Sequence, residues 1–233
     1  MMKRLIAAAA LACLGTAQAG VLLSEGFEGA IGSPFGVPTG WSQQNNSSPL
    51  GGSGWFKNAT PPFTASAGTS NSFLSANYCN GDCNNLTGTI SNWLILPTMT
   101  LDAGAVINFA VRTAGGGFVD GVEVRLSTNG ASTNVGTQPL DAGDFTNLVG
   151  FYFNNQDTGW VNQSYNLSSV ISGAVTGRLA FRYFVSDVSV NGNYLGIDTV
   201  SVVPEPTSLA LAGLALGGLA WSRRQRRQAA ATA

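Results

Sequence analysis

Alternation of apolar and polar residues constrains this chain more than any other feature. In "AVINFAVRT", Ala105, Ile107, Phe109 and Val111 share one face, with Asn108 and Arg112 on the other. "VDGVEVRLSTNG" turns Val122, Val124 and Leu126 inward and Glu123 and Arg125 outward, and Asn129-Gly130 then marks a tight turn. "GRLAFRYFVS" sets Leu179, Phe181, Tyr183 and Val185 against Arg178 and Arg182. "YLGIDTVSVV" sets Leu195, Ile197, Thr199 and Val203 against Asp198, Val200 and Val202. A period of two is the mark of strands that bury one face. Further strands are expected at 21–28, 53–57, 92–96, 99–102, 145–153 and 160–167. No stretch before residue 204 keeps a 3.6-residue apolar period over ten residues or more. The expectation is therefore an all-β, two-sheet antiparallel sandwich, jelly-roll-like rather than immunoglobulin-like.

The two ends read differently. Lys3 and Arg4, the apolar run from Leu5 to Gly15, and Ala17-Gln18-Ala19 follow one another as the three parts of a secretory signal peptide, an N-terminal signal helix cleaved after Ala19. A lipid anchor on Cys13 is the weaker reading, because Ala10 stands where a larger aliphatic residue is preferred. At the other end Pro204-Glu205-Pro206 stops the last strand, and an Ala/Leu/Gly run reaches Trp221 before Arg223, Arg224, Arg226 and Arg227. As a single hydrophobic helix the run from Ser208 to Trp221 rises roughly 20 Å against about 30 Å of hydrocarbon, a marginal span. The arginines place its C-terminal end on the cytoplasmic side. The chain divides into a signal peptide at 1–19, a sandwich domain at 20–203 and a sorting or anchor segment at 204–228, with the domain outside the cytoplasm.

Between residues 20 and 203 five basic residues stand against eleven acidic ones, a net charge of −6 that the basic tail hides in the whole-chain figure. A Lys-poor, acidic surface is wrong for nucleic acid, whose phosphates need clustered Lys and Arg. The chain has no His, Lys57 is the only lysine of the domain, and its two cysteines lie in "YCNGDCN". That inventory removes serine and cysteine triads and zinc hydrolysis. A glycosidase needs only two carboxylates, so a hydrolase of that type stays as the third reading. In an oxidising compartment Cys79 and Cys83 are expected to form a local disulfide around the Asn-Gly-Asp turn, contributing roughly 2 kcal/mol.

Val203, Pro204, Glu205 and Pro206, a short apolar helix and the arginine cluster resemble the PEP-CTERM sorting tail of Gram-negative bacteria. That resemblance implies recognition by exosortase, a membrane protease, a transient stay in the inner membrane, and delivery to the cell surface or extracellular matrix. "SEGFEG", "PTGW" at 38–41, "SNWLILPTMTL", "GDFTNLVGFYFN", Trp160, "GRLAFRYFVSD" and "YLGIDTVSVVPEP" follow in the order of the choice-of-anchor J domain. That domain is similar to cleaved-adhesin and MAM-type jelly rolls.

These resemblances imply an exported, non-enzymatic adhesive or structural module with extracellular polysaccharide or surface proteins as partners. First and last strands meet in a jelly roll, which brings Glu28 and Asp198 within reach of one ion, and the resemblance implies structural Ca²⁺ there. Trp41 and Trp55, in Gly/Ser-rich surroundings, are the candidates for a sugar-stacking face in a carbohydrate-binding module with a specific glycan, the second reading. Trp93 is expected in the core.

Overall fold

The computed structural model describes residues 20–29, 36–204 and 217–218. The expected signal helix at 1–19 and most of the C-terminal segment lie outside the described residues. Among the described residues no helix is long and apolar enough to cross a membrane.

The domain is an all-β sandwich of two antiparallel sheets. Its strands in chain order are β1 (Leu23–Glu25), β2 (Ser42–Asn45), β3 (Leu74–Asn77), β4 (Ile90–Ile95), β5 (Met99–Leu101), β6 (Val106–Thr113), β7 (Asp120–Ser127), β8 (Asn147–Asn154), β9 (Val161–Asn166), β10 (Val175–Val185) and β11 (Tyr194–Val203). The first sheet runs β1-β11-β6-β9, with β3 also on β11, and the second runs β2-β4-β10-β7-β8, with β5 also on β10. β11 lies between β6 on one side and β3 followed by β1 on the other, in registers Ile197↔Leu74 and Leu23↔Val202. First and last strands therefore meet, as expected.

The inward faces of β6, β7 and β10 are the ones the alternation predicts. Ile107, Phe109, Val111, Val122, Val124, Leu126, Leu179, Phe181 and Tyr183 are all buried in one core. Phe109 and Phe181 meet across the two sheets edge to face, with centroids 4.9 Å apart. On β11 the alternation holds only to Ile197. The pairing with β6 shifts register between Asp198 and Ser201, and Thr199 takes φ +49°. This bulge adds a residue and reverses the phase, so Val200 and Val202 face the core while Thr199 and Val203 do not. The expected order of that half-strand is thus corrected.

Both sheets carry a second layer on their outer faces. Phe63 and Phe73 pack with Tyr194 and Trp160 over β11, and Arg112 lies 4.5 Å from the Phe63 centroid. On the second sheet Val135 and Phe145, from the segment joining β7 to β8, cover Trp93, Ile95 and Ala180. Arg182, expected on the solvent face, is only 3% exposed as a result. Its guanidinium lies between Trp93 and Phe184, bonds Glu123 at 3.2 Å, and donates to the Pro139 carbonyl. A buried cation stays tolerable because carboxylate, carbonyl and ring faces all compensate it.

Asp120 ties the two sheets together at one end. Its Oδ1 accepts the Tyr183 hydroxyl (2.7 Å) and the Asn193 amide (2.8 Å), and its Oδ2 the Tyr194 amide (3.2 Å). Burial pushes its carboxyl above the ordinary range, and the three donors only partly offset that. Asp120→Ala strands three buried donors and should cost about 3 kcal/mol in urea unfolding. Because the folded carboxyl holds its proton more tightly than the unfolded one, its contribution is full below the unfolded pKa and shrinks as pH rises through the folded value. The stability difference between wild type and Asp120→Asn, which cannot ionise, should therefore narrow from about pH 4 upward.

Candidate functional site

Glu28 and Asp198 come together on one loop. β1 leads into a turn in which Phe27 takes φ +54° and its amide donates to Glu25 Oε1 at 2.7 Å. The turn carries Glu28 to the 66–69 loop, where Glu28 Oε2 faces the amide and hydroxyl of Thr69 at 3.4 and 3.3 Å. On the same loop the amides of Ser66 and Ala67 donate to Asp198 Oδ2 at 2.8 and 3.0 Å, and the Thr199 amide to Oδ1 at 2.6 Å. Burial raises the Asp198 carboxyl above the carboxylate range, the three amides pull it back, and the charge of Glu28 adds to the rise. Asp198 is the last residue of β11 before the bulge, on the face opposite Ile197.

Lys57 completes the corner, donating to the carbonyls of Phe27 (2.7 Å) and Gly29 (3.2 Å). The two carboxylates offer oxygen, which suits Ca²⁺ or Mg²⁺ better than zinc or copper, whereas Lys57 and the loop amides bring N–H donors. The loop backbone is moulded to Glu28, since a Cβ at Gly68, where φ is +75°, would sit 1.3 Å from Glu28 Oε1. Among the described residues no three His, Cys, Asp or Glu side chains converge, so a metal here would depend on backbone carbonyls for the rest of its shell.

The two tryptophans expected to face a ligand do not. Trp55 is 0% exposed, with its indole nitrogen donating to the Asn92 carbonyl at 3.1 Å, and Trp41 is 8% exposed against Phe27. Gly/Ser-rich flanks were read as exposure. Gly40 takes φ +82° in the turn that ends at Trp41, and Gly54 lies so close to the Gln43 side chain that a Cβ would be 2.3 Å from its Oε1, so these glycines serve close packing. Trp93 is buried as expected. Cys79 and Cys83 stand as two thiols, Cys79 half-buried and Cys83 exposed. Burial and then the neighbouring Cys83 thiol push Cys79 up to about 12.

The sequence reading missed a row of exposed apolar side chains on β8. Leu148, Phe151 and Phe153 pair with Arg125, Glu123 and Gly121 of β7, all on the outer face of the second sheet. A register shift at Val124/Arg125 keeps Leu148 in phase with the two phenylalanines. They are 41%, 57% and 47% exposed, and the two rings lie 5.4 Å apart at 40°. "NLVGFYFN" places apolar residues on both faces, so alternation alone cannot say which side is covered.

Residues 202–225 match the PEP-CTERM protein-sorting motif. The fold is similar to that of the K1 cleaved adhesin domain of Lys-gingipain from Porphyromonas gingivalis W83, at 22% identity and a TM-score of 0.53 over 78% of this chain and 98% of that one. The K3 domain of the same protein aligns at 19% identity and 0.54 over 78% and 98%, and the K2 domain of Lys-gingipain at 18% and 0.54 over 81% and 98%. No curated protein matches the sequence. Both parts of the sequence resemblance, the sorting tail and the cleaved-adhesin fold, thus have a counterpart.

The fit of the 66–69 loop around Glu28 is testable. Gly68→Ala should destabilise the domain by ~2 kcal/mol in urea unfolding, from the left-handed backbone and the clash together. Part of that loss should return in the Glu28→Ala background, where only the backbone contribution is left.

Proposed function

We propose that this protein is an exported adhesive or structural module, without catalysis, that is sorted through its C-terminal tail to the cell surface or extracellular matrix of a Gram-negative bacterium. The observation that carries this reading is the junction at Val203. The last strand of a sandwich with the cleaved-adhesin fold ends there, and the sorting motif begins at residue 202. Val203, Pro204, Glu205 and Pro206 would be the segment read by an exosortase-type protease, with Arg223, Arg224, Arg226 and Arg227 halting translocation on the cytoplasmic side. The domain itself would be the jelly-roll-like part that stays outside, in contact with extracellular polysaccharide or surface proteins.

Two of the clefts offer the glycosidase reading no support. One cleft of about 380 Å³ is walled by Gln43, Gln44, Asn45 and the Leu50–Gly54 turn, and another of about 170 Å³ by Val119, Phe153, Phe184 and Asn191. Neither has a carboxylate in its wall, whereas glycoside hydrolysis requires two. The reading as a glycan-specific module rested on Trp41 and Trp55 and loses both to the core.

Glu28 and Asp198 are proposed to hold a structural Ca²⁺, and Cys79 and Cys83 to close as a disulfide after export. The two carboxylates that meet at one loop support the first, and the two neighbouring thiols support the second. Calcium should raise the melting temperature of wild type and leave Asp198→Asn and Glu28→Gln unmoved. An equal response in all three would show that the ion binds elsewhere. For the export reading, mass spectrometry of protein recovered from the producing cells should show both the 1–19 segment and the arginine cluster removed. Recovery of the intact chain from the cytosol would overturn it.

A further inference from the structure

The turns that follow β6, β8 and β10 gather at the end of the sandwich opposite Val203. Thr113 pairs with Leu195 at that end, while Val106 pairs with Val203 at the other. Hydrogen bonds tie the turns to one another. The Val119 amide donates to Asn191 Oδ1 at 3.1 Å, the Gly192 amide to the Val119 carbonyl at 2.9 Å, and the Gly117 amide to the Asn155 carbonyl at 3.1 Å. Here opens the cleft of about 170 Å³ whose wall includes Val119, Phe153, Phe184, Ser186 and Asn191. It is small beside the roughly 300–1,000 Å³ of most ligand pockets, so it admits one ring of a longer molecule rather than a whole drug-sized ligand.

One wall is aromatic and fixed in place. The Phe153 ring lies against Gly121 of β7, where a Cβ would stand 2.1 Å from it, so the glycine lets the ring rest on the β7 backbone. Nearly half of Phe153, 47%, remains open to solvent. Two polar groups of the wall are uncommitted. Because Asn191 Oδ1 is taken by the Val119 amide, the free end of that side chain is the donor Nδ2, and neither Nδ2 nor the Ser186 hydroxyl has a partner among the described residues. No charged side chain lines the cleft, and Asp187 beside it is turned to its own loop, where its Oδ1 accepts the amide and hydroxyl of Ser189 at 2.9 and 2.6 Å.

We propose that this cleft binds a neutral pyranose residue of an extracellular polysaccharide, with the apolar face of the sugar on Phe153 and its hydroxyls on Asn191 Nδ2 and Ser186 Oγ. The inference rests on the adhesive reading above and names its partner. The groups in the wall select that class of ligand. A flat aromatic face suits the C–H side of a sugar ring, and a purely apolar ligand would bury the Asn191 and Ser186 groups without a bond. An acidic sugar needs Lys or Arg, which the wall lacks, and it would approach a domain of net charge −6. A wall without a carboxylate holds a sugar and does not cleave it. The position agrees with the chemistry, because the cleft lies at the end of the domain opposite Val203, so attachment on the C-terminal side leaves it open. One ring in so small a cleft binds weakly, and a repeating polymer against many displayed copies supplies the strength.

Affinity electrophoresis of the full chain in mild detergent tests this, through gels that contain β-glucan, xylan or galactan as neutral polymers and alginate as an acidic one. At least one neutral polymer should retard wild type, and alginate should not. Phe153→Ala should weaken that retardation about tenfold. Asn191→Asp keeps the acceptor for the Val119 amide and removes the free donor, and should weaken it about fivefold. Both variants should melt as wild type does. Phe151→Ala, whose ring lies outside the cleft wall, should change retardation little. Absence of retardation by every neutral polymer would overturn the proposal, as would retardation by alginate alone. So would a loss on Phe151→Ala equal to that on Phe153→Ala with Asn191→Asp unaffected, the mark of a general apolar surface. Binding is read on purified protein, so recovery of the intact chain from the cytosol would sink the export reading and leave this result standing.

Discussion

The edge-to-face contact of Phe109 on β6 with Phe181 on β10, 4.9 Å between centroids, is the point from which the rest of the molecule is organised. Each ring stands at the middle of a strand that is flanked on both sides in its own sheet, with Ile107 and Val111 beside Phe109 and Leu179 and Tyr183 beside Phe181 on the inward faces. Once those two rings meet, the facing of every residue on β6 and β10 is fixed by the pleat, because a slip of one residue would turn Arg112 and Arg182 into the core. The hydrophobic driving force therefore selects a register as well as a partner. Asp120 closes the same arrangement from one end with three hydrogen bonds that reach residues of both sheets.

A sandwich of this size would ordinarily leave both outer faces to water. Here long connections fold back over them, and this second layer decides where function can reside. It converts Arg182 from a surface residue into the centre of a buried network with Glu123, Trp93 and Phe184. It builds the Phe63, Phe73 and Tyr194 cluster from a segment that forms no long strand of its own. The two features left for interaction lie where this cover ends or is interrupted. One is the β8 row. The other is the corner where Asp198, just before the β11 bulge, meets the loop that also receives Glu28.

Where residues face the common core, sequence and structure agree. β6, β7 and β10 alternate cleanly because one side of each meets only apolar neighbours, and the meeting of Glu28 with Asp198 followed from the expected contact of first and last strands. The second half of β11 was illegible because a bulge leaves no mark on alternation beyond one displaced phase, and Thr199 is not a residue whose left-handed backbone could be foreseen. β2, "SQQN", and β3, "LSAN", lack the β-branched and aromatic residues that announce a strand. They are strands because β4 and β11 offer them a hydrogen-bonding edge, which is a tertiary cause. Trp41, Trp55 and Arg182 were misplaced for the same reason, since local composition reports the neighbours in sequence and burial depends on what folds over from afar.

The placement of β11 also bears on how such a domain could act while held at a surface by its C-terminal end. Tension applied at Val203 enters a strand that is bonded on both sides, to β6 along Val106–Thr113 and to β1 and β3 on the other edge. With the load along the strand axis, withdrawal of β11 requires the bonds of two ladders to fail together, whereas an edge strand could be peeled one pair at a time. The short strand β1 pairs with Val200, Ser201 and Val202, right at the point of exit, so it shields the residues that a pull would strain first. Load passes next to β6 and, through Phe109, to Phe181 in the opposite sheet.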